Sequence, residues 1–266
     1  MFCVVGERIN TSRKRVQEAV INKDYVYIQD DVKKQQAAGA NFIDVNAGAR
    51  IGHEKADMEW LLTVIQEVVT IPLCLDSPDP KVLEMAYGMV KDRPMINSIS
   101  LEKERYDAMV PFLKGKDCSV VALCMDDSGM PKSAQDVINR AGRLVKGLEG
   151  IGVRRELIYI DPLIQPISTD TTKGVMAMDS VRGIMGRFPG VHTICGLSNI
   201  SYGLPQRRII NRTFLALLMC AGLDAAIIDP IDDKIMAALK ATEMLMGNDE
   251  YCASYLKGVR AGQIVS

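Results

Sequence analysis

Asp76, Asn97 and Asp161 each stand directly after a short apolar run, as Leu75-Asp76, Ile96-Asn97 and Ile160-Asp161. An ionised carboxylate only accepts hydrogen bonds, whereas an amide both donates and accepts. The three together suit the edge of a flat heterocycle bearing amino, ring-nitrogen and carbonyl groups. Asp44 and Asn46 bracket Val45 at the end of another apolar run, Glu7 closes the first run, and Ser198 and Asn199 close the seventh. One aspartate in such a place is commonly a helix N-cap. Acids and amides recurring from run to run favour ligand binding for the set as a whole.

The runs that carry these residues occupy 2–6, 42–45, 73–75, 95–96, 120–124, 157–160, 194–197 and 225–228. Between them, apolar residues at helical spacing cover 25–38, 57–69, 81–90, 102–113, 135–148, 174–187, 206–221 and 232–246. Short buried strands alternating with helices predict a parallel sheet wrapped by helices. Eight such units in 266 residues match the length of one (β/α)₈ TIM barrel, an α/β fold, so residues 1–266 read as a single domain. Ser133 ahead of Asp136 reads as a helix N-cap, and Pro80 suits a first helical turn. In such barrels the C-terminal strand ends open on one cavity, so the polar run endings are expected to converge there.

Composition narrows what that cavity does. The 32 basic and 33 acidic residues give a net charge of -1, so no global field draws nucleic acid or an anionic membrane. No run of 18 or more apolar residues predicts a transmembrane helix, and a cytoplasmic location is expected. The seven cysteines lie mostly inside apolar segments without a C-x-x-C pair and are expected to be buried reduced thiols. With only His53 and His192 as imidazole ligands, no transition-metal site is expected. G-x-S-x-G, G-x-x-x-x-G-K-[ST] and G-x-G-x-x-G are all absent, which removes support for serine hydrolase, P-loop and dinucleotide-binding readings.

Seven motifs in order carry a family resemblance: Gly6-Glu7-Arg8-Ile9-Asn10, Asp44-Val45-Asn46, Leu75-Asp76-Ser77, Ile96-Asn97-Ser98, Tyr159-Ile160-Asp161-Pro162-Leu163, Gly196-Leu197-Ser198-Asn199 and Ile210-Asn211-Arg212-Thr213-Phe214. Across nearly the whole chain the sequence resembles the methyltetrahydrofolate:corrinoid methyltransferases. It is also similar to the folate domain of cobalamin-dependent methionine synthase and, more distantly, to dihydropteroate synthase. All of these are pterin-binding barrels.

The resemblance implies that Asp76, Asn97 and Asp161 bind the pterin edge, helped by Asp44 and Asn46, and that Asn199 lies near N5, which carries the methyl group. A methyl on a neutral tertiary amine leaves poorly, so N5 must gain a proton or a strong hydrogen bond. Asn199 supplies the bond but not the proton, and Ser198 and Asp161 are relay candidates. Gly196 belongs to the same turn. Glu7 and Asn10 either touch ligand or pin the first loop. Arg207, at a helix start, suits the glutamate tail of folate or a phosphate, or else is a solvated helix end.

Tetrahydrofolate or 5-methyltetrahydrofolate is the implied substrate and a corrinoid (cobalamin) the co-substrate. The chain lacks the D-x-H-x-x-G motif of corrinoid carriers, which implies that the corrinoid arrives free or on a separate corrinoid protein, the expected partner; a homodimer is expected from the family. Tyr202 and Asp126 depart from the family's amide-rich pattern. Two alternatives stand beside this reading: a dihydropteroate synthase-like condensation, against which the Gly196-Leu197-Ser198-Asn199 ending argues, and a non-catalytic pterin-binding protein.

Overall fold

Inward and outward side chains alternate along the strands of the computed structural model, which describes residues 2–264, except where the register shifts between Gly6 and Ile9 and beyond Asn97. The strands are β1 (Cys3–Asn10), β2 (Phe42–Asn46), β3 (Leu73–Asp76), β4 (Met95–Leu101), β5 (Ser119–Asp126), β6 (Ile158–Asp161), β7 (His192–Thr193) and β8 (Ala225–Ile228). They form one parallel sheet in the order β7-β6-β5-β4-β3-β2-β1-β8. Val5, Cys74, Met95, Val121, Ile194 and Ala225 fill its interior as an apolar plug, with Leu123, Tyr159 and Ile227 packed against it. Two residues further along the strands stand Glu7, Asp76, Asn97 and Asp161, on the same inward face because the side-chain period is 2. The polar layer therefore lies directly above the plug at the C-terminal end of the barrel.

Outward-facing residues such as Ile9, Ile43, Leu75 and Ile96 pack against the helices in a second, larger core. The helices are α1 (Lys14–Ile21), α2 (Tyr25–Ala37), α3 (Glu54–Ile65), α4 (Pro80–Tyr87), α5 (Lys103–Leu113), α6 (Ala134–Gly150), α7 (Lys173–Arg187), α8 (Arg207–Ala221), α9 (Asp233–Leu245) and α10 (Ala253–Arg260). Burying each large aliphatic side chain contributes about 1.5–3 kcal/mol. Ser133 caps α6 by accepting from Asp136 N, and Pro80 opens α4 behind the Asp79 cap, both as the sequence predicts. Gly6 is required where β1 meets α2, because a Cβ there would collide with Gln35 Oε1. Among the described residues no helix is long and apolar enough to cross a membrane.

Strands β1 and β4 run on beyond their apolar runs to Asn10 and Leu101, and two helices and the seventh strand differ further from the sequence expectation. The short helix α1 buries Val16, Ala19 and Val20, and α10 follows the eighth βα unit; neither was expected. The seventh ladder is only His192–Thr193, paired with β6, rather than the run 194–197. Its other edge has no continuous ladder to β8. There Asp224 Oδ1 accepts from Thr193 N at 2.8 Å, Ile227 N donates to Cys195 O at 2.9 Å, and a single bridge joins Gly196 to Ile227. A side chain closes the seam where backbone pairing would otherwise run. Two of the cysteines, Cys220 and Cys252, are exposed rather than buried, and all seven are free thiols.

Candidate active site

The parallel ladder brings the predicted residues of β1 to β4 into one row. Asn10 is in register with Asn46, Asn46 with Asp76, and Asp76 with Asn97. Asn46 Nδ2 donates to Asp76 Oδ2 at 2.8 Å while its Oδ1 accepts from Gly48 N at 3.0 Å, so Asn46 is fixed at both ends. Burial raises the Asp76 carboxyl above its usual range, opposed by the Asn46 amide and the Arg105 charge. Asn97, with Asp76, Ser98, Arg105 and Leu123, lines a cleft of about 270 Å³. Asp44 lies one step deeper on β2, in register with Cys74, and its buried Oδ1 has no partner. Burial and the nearby Asp76 push it well above the ordinary carboxylate range. Asn10 turns its Oδ1 back onto Ser12 N at 2.9 Å.

Asp161 closes β6 and is only 8% exposed. Its Oδ1 accepts from Leu163 N at 2.7 Å, in a turn where Leu163 takes φ 64°. Burial pushes this carboxyl up to about 7. Beyond β7 the chain enters a 3-10 turn, Leu197–Ser201, that carries Ser198 and Asn199. Gly196 leads into that turn, and a Cβ there would lie 3.4 Å from Asn199 Nδ2, an ordinary contact. Arg207 braces it, with Nη2 on Ser198 O at 2.7 Å and Nε on Ser201 Oγ at 3.0 Å. A second strut ties Ile167 N to Ile200 O at 3.0 Å, and Ser168 Oγ donates to Tyr202 O at 2.7 Å. Two of the five Arg207 N–H donors are thus committed to the turn.

Arg105, not singled out in the sequence, holds the other side of the mouth. Its guanidinium donates to Ser98 O and Ser77 O, each at 3.0 Å for one nitrogen, and also to Pro78 O. It therefore clamps the loops that follow Asp76 and Asn97, and burial lowers its pKa. One signal was present: a cation in the first turn of a helix opposes the helix dipole, so its position calls for another reason. Among the described residues no three His, Cys, Asp or Glu side chains gather to hold a metal ion.

The sequence profile described as "Pterin binding enzyme" matches residues 6–229. The chain belongs to this pterin-binding enzyme family. Within it, the chain is 34% identical over 263 residues to a protein named methylcorrinoid:tetrahydrofolate methyltransferase from Eubacterium limosum, covering 98% of this chain and 97% of that one. It is 33% identical over 238 residues to methionine synthase of Mycobacterium tuberculosis, 85% of this chain but 20% of that longer protein. The barrel also superposes on dihydropteroate synthases. The Xanthomonas albilineans enzyme in complex with 7,8-dihydropteroate gives a TM-score of 0.70 at 15% identity, with 92% of each chain covered. The Coxiella burnetii enzyme in complex with pteroic acid gives 0.71 at 14%, covering 91% of this chain and 94% of that one. At such identities the likeness to these pterin-binding structures is one of fold.

Proposed function

We propose that this chain is a methyltransferase that moves a methyl group between N5 of tetrahydrofolate and the cobalt of a corrinoid. The observation that carries the reading is the polar layer Asn46, Asp76, Asn97 and Asp161, set on an apolar plug at the mouth. A row of acceptors beside an amide matches the alternating donors and acceptors of a pterin edge. The Eubacterium limosum relative, named for a methylcorrinoid and tetrahydrofolate, spans the same length and supports the same chemistry here.

In this reading Asp76, Asn97 and Asp161 take the pterin edge, Asn46 fixes the orientation of Asp76, and Asp44 helps from the layer below. The Asn199 amide, in the turn that follows Gly196, hydrogen-bonds N5 as electron density builds there. Ser198 and Arg207 hold that turn in place, and Asn10 lines the β1 side of the row. The site serves both directions of transfer, because a catalyst lowers one barrier and concentrations decide the flux. A separate corrinoid-carrying protein seated over the mouth, a homodimer and a cytoplasmic setting complete the reading.

Anaerobic absorbance tests it. Methyltetrahydrofolate with Co(I)alamin, and methylcobalamin with tetrahydrofolate, report the methyl through the cobalt spectrum. Exchange in either direction, slowed in Asn199→Ala, is the expected result. Folate binding without exchange to free cobalamin or to any corrinoid protein would instead leave a binding role.

A further inference from the structure

Glu7 is the one inward carboxylate of the polar layer that no protein group holds. Among the described residues it makes no hydrogen bond or ion pair, although a half-buried carboxylate ordinarily finds a partner. Arg8, Arg13 and Arg207 act on its charge and Arg208 lines the same cavity, yet each has contacts elsewhere. Arg8 is spent on Asp31 and on Asp229, at 2.8 Å each. Arg13 reaches Asp229 at 3.7 Å, Arg207 braces the Asn199 turn, and exposed Arg208 leans toward Asp232. The fold has thus left this carboxyl free while surrounding it with committed cations.

A cavity of about 60 Å³ runs beside it, lined by Glu7, Ser198, Asn211, Asp229, Asp232 and Arg208. That is room for water but not for a pterin ring. The buried Oδ1 of Asn211 also has no hydrogen-bond partner, so the cavity wall carries an acceptor that needs a donor. Ser198 places this cavity beside the turn that bears Asn199, and Arg208, 83% exposed at its side chain, places it close to solvent. A water-sized cavity with polar walls in that position can pass a proton.

We propose that Glu7 is the proton donor and acceptor for N5, exchanging its proton with solvent through the cavity beneath the Asn199 turn. This rests on the methyltransferase reading above and supplies the proton that Asn199 cannot. When the methyl leaves folate, the N5–C bond breaks, its electron pair stays on N5, and the Glu7 carboxyl proton passes to that pair. The methyl meanwhile forms its new bond with the electron pair of Co(I). In reverse, N5 attacks the methyl, cobalt keeps the pair as Co(I), and the N5 proton passes to the Glu7 carboxylate. Burial pushes the Glu7 acid up to about 7, with Asp229 raising it and Arg13, Arg207 and Arg8 lowering it. Asp44 on β2 also lies within its field, and Asp232 lines the same cavity. A group titrating near neutrality is matched to giving and taking a proton there.

The test compares wild type with Glu7→Gln and Glu7→Asp by anaerobic stopped-flow absorbance in both directions between pH 5 and 9. Calorimetric tetrahydrofolate binding runs alongside. The inference expects Glu7→Gln to bind folate within a few-fold of wild type yet transfer methyl about 100-fold or more slowly. It also expects a wild-type rate that falls with rising pH for methyl removal and rises for methyl addition, with both trends flattened in Glu7→Gln and partly restored in Glu7→Asp. A Glu7→Gln protein that binds folate and keeps the wild-type rate and pH profile overturns the role of Glu7 while the methyltransferase reading stands. A wild type that binds folate but exchanges methyl with no corrinoid overturns both.

Discussion

Asn46 and Asp76, 30 residues apart, face each other across the β2–β3 ladder with amide nitrogen and carboxylate oxygen 2.8 Å apart. The contact fixes which oxygen of Asp76 remains free to meet a ligand, and it opposes the rise in pKa that burial imposes. Hydrogen bonds to charged groups contribute about 1.5–3 kcal/mol. Asn46→Ala is therefore expected to weaken tetrahydrofolate binding by roughly 10-fold to 100-fold, measured by calorimetric titration. An unchanged affinity would remove Asp76 from the binding surface.

Asn199 is expected to behave differently. Its turn is braced by Arg207 and tied to Ile167 and Ser168, so truncating the side chain leaves the mouth in place. If its amide acts on N5 as charge develops, Asn199→Ala should hold folate binding within a few-fold while methyl transfer slows about 100-fold to 1,000-fold. Single-turnover absorbance separates the two. A loss confined to binding would make Asn199 a ground-state contact only.

Much of this site was legible because parallel strands write their endings into the sequence. Leu75-Asp76, Ile96-Asn97 and Ile160-Asp161 are apolar residues followed by one polar residue, and each lands on the mouth. What was hidden depends on partners distant in the chain. The seventh strand could not be placed from its apolar run, since Asp224, 31 residues beyond Thr193, takes the amide that a ladder would have used. Arg207 looked like an anion site at a helix start, yet its donors go to Ser198 and Ser201 just upstream. Arg105 carried no motif, because its partners are three backbone carbonyls, which any sequence provides.

The buried acid Asp161 makes stability depend on pH. Its folded-state pKa, about 7, lies above the ordinary 3.8. Between those values the native state holds a proton that the unfolded state has lost, so stability falls as pH rises through that window. The slope from one such group is about 1 kcal/mol per pH unit. Urea unfolding at pH 5, 6 and 7 should show Asp161→Asn losing less stability than wild type over that range. Parallel slopes for the two proteins would show that Asp161 ionises in the native state as it does in the unfolded chain.

At the opposite end of the barrel, Asp224 is expected to matter for folding and not for ligand. Its Oδ1 takes the N–H of fully buried Thr193, and its Oδ2 lies 2.6 Å from His192 Nδ1, where the imidazole stacks on Tyr159 at 4.7 Å. The hydrogen bond to Asp224 raises the His192 pKa. That contribution is present below the ordinary histidine range and lost as pH rises through the raised folded value, and solvent screening keeps it small because both groups are partly exposed. The larger effect is the orphaned Thr193 N–H, whose burial without a partner costs about 1–3 kcal/mol. Asp224→Ala should lower unfolding stability by about that amount, whereas Asp224→Asn, which keeps an acceptor for Thr193, should lose less and shed the pH dependence. Tetrahydrofolate affinity should match wild type in both, since the apolar plug separates this seam from the mouth. A large loss of affinity without a loss of stability would show that the seam sets the geometry of the Asn199 turn rather than merely closing the barrel.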